Sequence, residues 1–183
     1  MAQSVEAICG LLVKDSKLVA NCNEFLLAAA QKVAGEYRRA EITNLFMGKA
    51  DAIRGRFSTA ATTVAPFVYI GTDPDLATKH ATAGQFVVGG LTSTEMTYVG
   101  RDKKPRIATM GHVVVVVPGG PSKPRHIKLA SGVEQAARGG YPFCYQGAAN
   151  AAYRFAEKTS VDVVFPGLLL DKVIYAYIAI KPV

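Results

Sequence analysis

The stretch Val113-Val114-Val115-Val116-Val117 consists of five consecutive valines. Successive side chains of a β-strand point to opposite faces, so a strand of this composition is apolar on both sides. Such strands occur in sheets that are covered from both sides. The stretch Val173–Ile180 has the same double character, with Tyr175 and Tyr177 on one of its faces. The sequence therefore predicts a sheet in which at least these two strands are covered on both faces.

Two sources of that cover are compatible with the sequence. In one, helices before and after the strands cover the two faces within a single chain. In the other, a neighbouring subunit covers one face, and aromatic residues suit such an interface because they bury a large area at a low cost in side-chain entropy. We accordingly predict a homo-oligomer with Tyr175 and Tyr177 in its interface.

Away from these strands, the composition changes near residue 56. All nine prolines and thirteen of the seventeen glycines lie at or after Pro66, whereas the earlier part is rich in residues that favour helices. After residue 56, β-branched and aromatic runs alternate with Gly and Pro clusters, as is typical of strands and turns. The predicted class is α+β: a helical N-terminal segment, 1–56, packs on a mainly antiparallel β-rich domain, 57–183, with one or two late helices.

Apolar spacing and breaker residues predict the individual elements. Helices are expected after a cap at Ser4, over Ser16–Arg39 and Glu41–Arg54, and later after a capping box at Ser131–Glu134 and over Ala148–Lys158. Strands are expected at Val64–Ile70, Gln85–Val88, Met96–Val99, Ile107–Val117, His126–Leu129, Val161–Phe165 and Val173–Ile180. The run Asp73-Pro74-Asp75 is typical of a turn and lacks the further oxygen ligands of a calcium loop.

Composition excludes several classes of protein. With 183 residues, 50% of them hydrophobic and 19% charged, the chain is neither a disordered tail nor a disulfide-stapled miniprotein. Its three cysteines have no C-x-x-C spacing, which argues against a zinc site and indicates a reducing compartment. No apolar run approaches the roughly 20 residues of a membrane-spanning helix, and no secretory signal is visible. We expect a soluble protein in the cytoplasm or in a particle assembled there.

Basic residues are concentrated around the valine strand. The chain carries 21 Lys and Arg against 14 Asp and Glu, a formal charge of +7. Seven of the basic residues lie between positions 101 and 128, where Asp102 is the single acid: Arg101, Lys103, Lys104, Arg106, Lys123, Arg125 and Lys128. Loops with this charge can hold a polyanion such as nucleic acid through phosphate contacts and counterion release. The alternative is a solvated face that keeps the protein soluble.

A weaker basic set lies in the helical segment and is diluted by acids: Lys32, Arg38, Arg39, Lys49, Arg54 and Arg56. It is typical of an ordinary polar surface, with a second anion-binding face as the alternative. No aromatic-rich RNA-binding motif is present, so the sequence does not predict base stacking.

No catalytic constellation stands out. The candidates are the thiol of Cys144, the imidazoles of His80, His112 and His126, and carboxylates such as Asp162. A Cys144–His112 nucleophile would need the two side chains within hydrogen-bond reach, and the apolar neighbours of Cys144 favour an inert thiol instead. The Gly119–Lys123 run lacks the spacing of a phosphate-binding loop. We predict no catalytic residues, no metal site and no cofactor.

These observations together favour a non-enzymatic structural or assembly protein, a coat-like or capsid-like subunit that self-associates and contacts RNA or DNA through its basic loops. Two alternatives remain open. One is a small accessory nucleic-acid-binding protein, and the other is an enzyme whose site is assembled from dispersed residues.

Overall fold

A computed structural model describes residues 3–35, 38–99, 104–129 and 131–178. Its N-terminal part forms the helices α1 (Val5–Leu12), α2 (Cys22–Ala34), α3 (Arg39–Phe46) and α4 (Ala50–Gly55). Ser4 caps α1 as predicted, because its hydroxyl accepts the Ala7 N–H. The two longer predicted helices are each interrupted. A 3₁₀ turn precedes the Asn21 cap of α2, and Gly48, at φ +106°, separates α3 from α4.

The rest of the described chain is built around a six-stranded antiparallel sheet. Its strands in chain order are β1 (Phe67–Gly71), β2 (Phe86–Leu91), β3 (Thr97–Val99), β4 (Pro105–Ile107), β5 (His112–Val117), β6 (Arg125–Lys128), β7 (Glu134–Ala137), β8 (Phe143–Tyr145), β9 (Thr159–Ser160) and β10 (Ile174–Ile178). The sheet has the order β1-β10-β2-β5-β8-β9, while β3–β4 and β6–β7 form separate two-stranded hairpins. The predicted α+β class, with N-terminal helices and late helices, is confirmed.

Both faces of the sheet are covered by elements of the same chain. Val113, Val115 and Val117 pack in one core with the apolar sides of α1 to α4. Val114 and Val116 pack in a second core with α5 (Pro74–Thr82), α6 (Val161–Val164) and the 3₁₀ segment Gly167–Lys172. The two apolar faces of the valine strand are therefore explained within a single chain.

The two late helices do not form at the positions predicted from the sequence. The Ser131–Glu134 stretch forms a hairpin turn instead, with Gly132 at φ +81°, and Glu134 begins β7. Pairing of β6 with β7 uses the backbone groups that a helix would have needed. Over Ala148–Lys158 only Ala151–Tyr153 is helical, as one 3₁₀ turn.

Other boundaries also differ from the prediction. Val161–Phe165, predicted as a strand, contains α6, and the predicted strand Ile107–Val117 is interrupted between β4 and β5. Helix α5 was not predicted: the run Asp73-Pro74-Asp75 is the start of this helix, where Asp73 accepts the N–H groups of Asp75 and Leu76. Proline suits the first helical turn because its missing N–H would have had no partner there.

Side-chain contacts of Arg54 and Asp51, here called the polar clamp, join α4 to β2 and to the segment that follows it. Arg54, 1% exposed, donates from Nε to the Gly90 carbonyl at 2.9 Å and from Nη2 to Glu95 at 3.1 Å. One turn earlier, Asp51 accepts the N–H and hydroxyl of Ser93 at 2.6 and 2.7 Å. Arg54 therefore belongs to the interior and not to the weaker basic surface.

Within the described ranges, no helix is both long and apolar enough to cross a membrane. The N-terminal helices share their core with β2, β5 and β10. The boundary between residues 56 and 57 stays a prediction.

Candidate nucleic-acid interface

The predicted basic loops leave opposite ends of β5. The β3–β4 hairpin lies between Leu91, the end of β2, and His112, which pair at one end of the sheet. The β6–β7 hairpin lies between Val117 and Phe143, which pair at the other end. A six-residue strand spans about 17 Å, so the two hairpins start well apart. The predicted basic residues that the structure describes therefore form two groups.

The first group lies on the β3–β4 hairpin. Lys104 and Arg106 are exposed there, and Arg106 pairs in register with Tyr98. Arg101 and Lys103, which the sequence assigns to the same loop, lie outside the described residues.

The second group lies on and before the β6–β7 hairpin, next to β9. Lys123 and Lys128 are exposed, and Arg125 is partly exposed. Arg125 donates from Nη2 to the Ser160 hydroxyl at 3.1 Å, which joins β6 to the end of β9. The hairpin is also fixed to α6, because the Gln135 side-chain amide donates to the Val163 carbonyl at 2.7 Å.

A groove of about 350 Å³ opens beside this second group. One wall is formed by Arg125 and Ile127, and the other by residues 155–159. In the second wall, the Lys158 ammonium contacts Glu6 at 2.7 Å and lies 5.1 Å from the centroid of the Phe143 ring. Phe155 is partly exposed and Glu157 also lines the groove. The groove therefore combines two basic side chains, of which Lys158 is paired with Glu6, with one carboxylate and an aromatic ring.

A buried carboxylate positions the loops beneath this group. Asp162 is 1% exposed and accepts the Gly139 N–H at 2.7 Å and the Ser122 hydroxyl at 3.4 Å. Ser122 in turn accepts the Tyr141 N–H at 3.3 Å. These bonds hold the chain just before Lys123 against the start of α6. Asp162 is therefore a positioning residue of the basic loop.

Phe155 and Lys158 are the site residues that the sequence did not reveal. They lie thirty or more positions after Arg125, in a stretch predicted to be helical. The pairing of β8 with β9 brings their stretch of chain to the β6–β7 hairpin. The alternation of basic and aromatic residues in Arg154-Phe155 and Lys158 was the available signal.

The catalytic candidates are separated in space. Cys144 pairs with Val116 across the sheet, four positions along β5 from His112, a separation of about 13 Å. Burial raises the pKa of the Cys144 thiol, which keeps it protonated. The His112 ring pairs with the Gln146 side-chain carbonyl instead, and burial lowers its pKa. Among the described side chains, no cluster of three His, Cys, Asp or Glu is placed to hold a metal ion.

The two tyrosines predicted at an oligomer interface have different surroundings. Tyr175 is 1% exposed, and its ring lies so close over Gly89 that a Cβ there would be 2.9 Å away. Burial raises the pKa of its hydroxyl, for which the described part of the chain supplies no hydrogen-bond partner. Tyr177 is partly exposed and stacks on His80 of α5, with ring centroids 4.2 Å apart. Tyr175 thus lies in the core of the chain, and Tyr177 retains a surface.

Comparison with protein-family models finds no match to this chain, and comparison with curated proteins finds no significant relative. The groove between Arg125 and Lys158 brings two basic side chains and the partly exposed ring of Phe155 together, beside the carboxylate of Glu157.

Proposed function

We propose that this protein is a non-enzymatic structural or assembly subunit, coat-like in kind, that self-associates and contacts nucleic acid through its basic loops. The observation that carries the nucleic-acid part is the groove in which Arg125 and Lys158 flank the partly exposed ring of Phe155. Positive charge beside an aromatic ring is the combination that single-stranded RNA and DNA require.

The charges around the groove favour contacts to the nucleic-acid backbone. Lys123 and Lys128 are exposed just before and on the hairpin that carries Arg125, and the +7 charge of the chain draws polyanions towards the surface. The lysine ammonium contacts phosphate as a point charge, and phosphate contacts carry little information about the base sequence of the nucleic acid. We therefore expect weak sequence selectivity and strong dependence on salt.

Self-association is the second part of the proposal. Both sheet faces are covered within the chain, so the support for self-association comes from surface residues at the edge of the sheet. There Tyr177 lies beside the exposed Val68. A monomeric accessory protein that binds RNA or DNA would use the same groove. The oligomeric state of the purified chain separates these two functions.

Removing lysines from the groove and from the basic hairpin next to it tests the nucleic-acid part. In a variant with Lys123→Ser, Lys128→Ser and Lys158→Ser, we expect the slope of log affinity against log salt to become shallower by about 2 for a single strand, since each lost phosphate contact removes about 0.7. Affinity should fall across unrelated sequences. The measurement is fluorescence anisotropy with a labelled oligonucleotide over a salt series.

The matched control removes three exposed lysines from other elements: Lys32→Ser on α2, Lys49→Ser before α4 and Lys79→Ser on α5. This control lowers the net charge by the same amount as the first variant. Because it leaves Lys123, Lys128 and Lys158 in place, it should lower affinity only slightly and leave the salt slope nearly unchanged. Equal slopes for both triple variants and the wild type would show that Lys123, Lys128 and Lys158 only solvate the surface.

Loss of the aromatic contact should lower affinity without changing its dependence on salt. Phe155→Ala should weaken binding of a single strand by roughly five- to a hundredfold, because one stacked base contributes about 1–3 kcal/mol. The salt slope should not change, since no ionic contact is lost. Phe155→Tyr keeps a ring and should bind like the wild type. An alanine variant of unchanged affinity would remove base stacking from the proposal.

A further inference from the structure

The lysine of the groove is already paired with a carboxylate of the same chain. The Lys158 Nζ atom lies 2.7 Å from the Glu6 Oε1 atom, and both side chains are about one-third exposed. Glu6 lies in the first turn of α1, and Lys158 lies in the groove wall just before β9. This contact joins the N-terminal helix to the groove wall across 152 positions of sequence.

The Glu6 carboxylate and a nucleic-acid phosphate require the same ammonium group. Both are oxygen anions that accept hydrogen bonds from a lysine. An ammonium whose charge is matched by a nearby carboxylate attracts a phosphate less strongly, because the two charges largely cancel at a distance. Arg125, by contrast, is bonded to the neutral hydroxyl of Ser160. The two basic side chains of the groove therefore differ in their availability to a phosphate.

The ion pair can open at a low cost. Pairs between partly exposed side chains are weak, because water competes for both charges. Each partner also keeps a second favourable contact. The Lys158 ammonium lies 5.1 Å from the centroid of the Phe143 ring, and Glu6 lies in a first helical turn, where negative charge is favourable. Lys158 therefore remains positioned in the groove wall when Glu6 withdraws.

We propose that Glu6 competes with the phosphates of a bound single strand for Lys158, so that binding exchanges the Glu6 contact for a phosphate contact. The proposal rests on the nucleic-acid contact proposed above and adds a residue of α1 that lowers affinity at the same groove. An isolated phosphate gains one contact at Lys158 and loses one ion pair. A strand also gains contacts with Arg125 and Phe155, so Glu6 favours strands over isolated anions.

The affinity of the full chain for a labelled single-stranded dA oligonucleotide, measured by fluorescence anisotropy, tests this competition. Glu6→Gln should bind up to about fivefold more tightly than the wild type, since binding no longer breaks an ion pair. Glu24→Gln is the matched control, because Glu24 is an exposed carboxylate in the first turn of α2. It changes the net charge equally and should alter affinity far less.

A second pair of variants tests whether the effect of Glu6 depends on Lys158. In a Lys158→Ser background, Glu6→Gln should leave affinity unchanged, because the ammonium for which the two anions compete is gone. A gain that persists in this background would overturn the competition. Equal gains for Glu6→Gln and Glu24→Gln would also overturn it, since long-range charge alone would then account for both.

Carbodiimide cross-linking of the wild type gives a measurement that needs no variant. The reagent joins a carboxylate to an amine in contact with it, so we expect a Glu6–Lys158 cross-link in the free protein, detected by mass spectrometry of its peptides. A saturating dA oligonucleotide without a terminal phosphate should reduce the yield severalfold. An unchanged yield at saturation would overturn the proposal.

The outcomes separate this proposal from the proposed function. A wild type that binds the oligonucleotide, with a gain for Glu6→Gln that requires Lys158, would support the competition. If the oligonucleotide binds equally to the wild type and to Glu6→Gln, the competition is overturned while nucleic-acid contact stands. If neither protein binds the oligonucleotide at low salt, both proposals are overturned.

Discussion

Arg54 is a buried guanidinium that holds the end of the sheet from which the β3–β4 hairpin leaves. Its Nε and Nη2 atoms donate to Gly90 and Glu95, while Nη1 is buried and has no hydrogen-bond partner among the described residues. Burial is also the main cause that lowers the pKa of this side chain. Sequence alone assigned Arg54 to a basic surface, because the residue type says nothing about which side of α4 faces the sheet.

Replacing this side chain should cost stability. We expect Arg54→Met to lower the free energy of unfolding by about 2–4 kcal/mol, since it leaves the Gly90 carbonyl and Glu95 without their donor. Glu95→Gln should cost less than about 1 kcal/mol, because the Glu95 side chain is one-third exposed. Urea unfolding measures both changes. An Arg54→Met variant as stable as the wild type would show that the clamp contributes nothing.

His112 should make stability depend on pH. Burial lowers its pKa below the ordinary value of 6.5, so the unfolded chain binds a proton that the folded chain does not. The free energy of unfolding should therefore fall as the pH decreases below about 6.5. His112→Gln should reduce this slope between about pH 5 and 6.5, whereas His126→Gln, at an exposed position of β6, should retain it. Equal slopes in the two variants would contradict this origin.

At the scale of elements, local sequence predicted structure well where it agreed with tertiary pairing. The valine run of β5 formed a strand, and Ser4 capped α1. The Ser131–Glu134 pattern fits a helix equally well on its own, but the pairing of β6 with β7 overrode it. Asp73-Pro74 is typical of both a turn and a helix start, and only the contacts of α5 with the sheet distinguish the two.

Gly90 tests how closely β2 packs in the sheet, and Gly55 of α4 is the control. A Cβ at Gly90 would be 2.8 Å from the His112 carbonyl oxygen, a backbone atom that cannot move without shifting β5. We expect Gly90→Ala to cost about 1–3 kcal/mol of stability. Gly55, the last residue of α4, has open space around it, so Gly55→Ala should be neutral or stabilise by up to about 1 kcal/mol. Thermal and urea unfolding measure both, and a neutral Gly90→Ala would contradict the close packing.

At the scale of the molecule, the sequence predicted that basic residues are concentrated on both sides of β5 but not that the two groups lie at opposite ends of the strand. The antiparallel pairing of β5 with β2 and β8 sends the two basic hairpins to opposite ends. The pairing of β8 with β9 and the bond from Arg125 to Ser160 bring Phe155 and Lys158 close to Arg125, although these residues are distant in the sequence. Juxtapositions of this kind depend on strand order, which apolar periodicity does not specify.

Self-association together with nucleic-acid contact is the core of the proposed function. Sedimentation velocity of the full chain with a single-stranded oligonucleotide, recorded at both protein and nucleic-acid absorbance, tests it most directly. We expect a species of dimer size or larger whose boundary contains both absorbances and that loses the nucleic acid as salt increases. A monomer at tens of micromolar, with the oligonucleotide sedimenting separately at low salt, would contradict it.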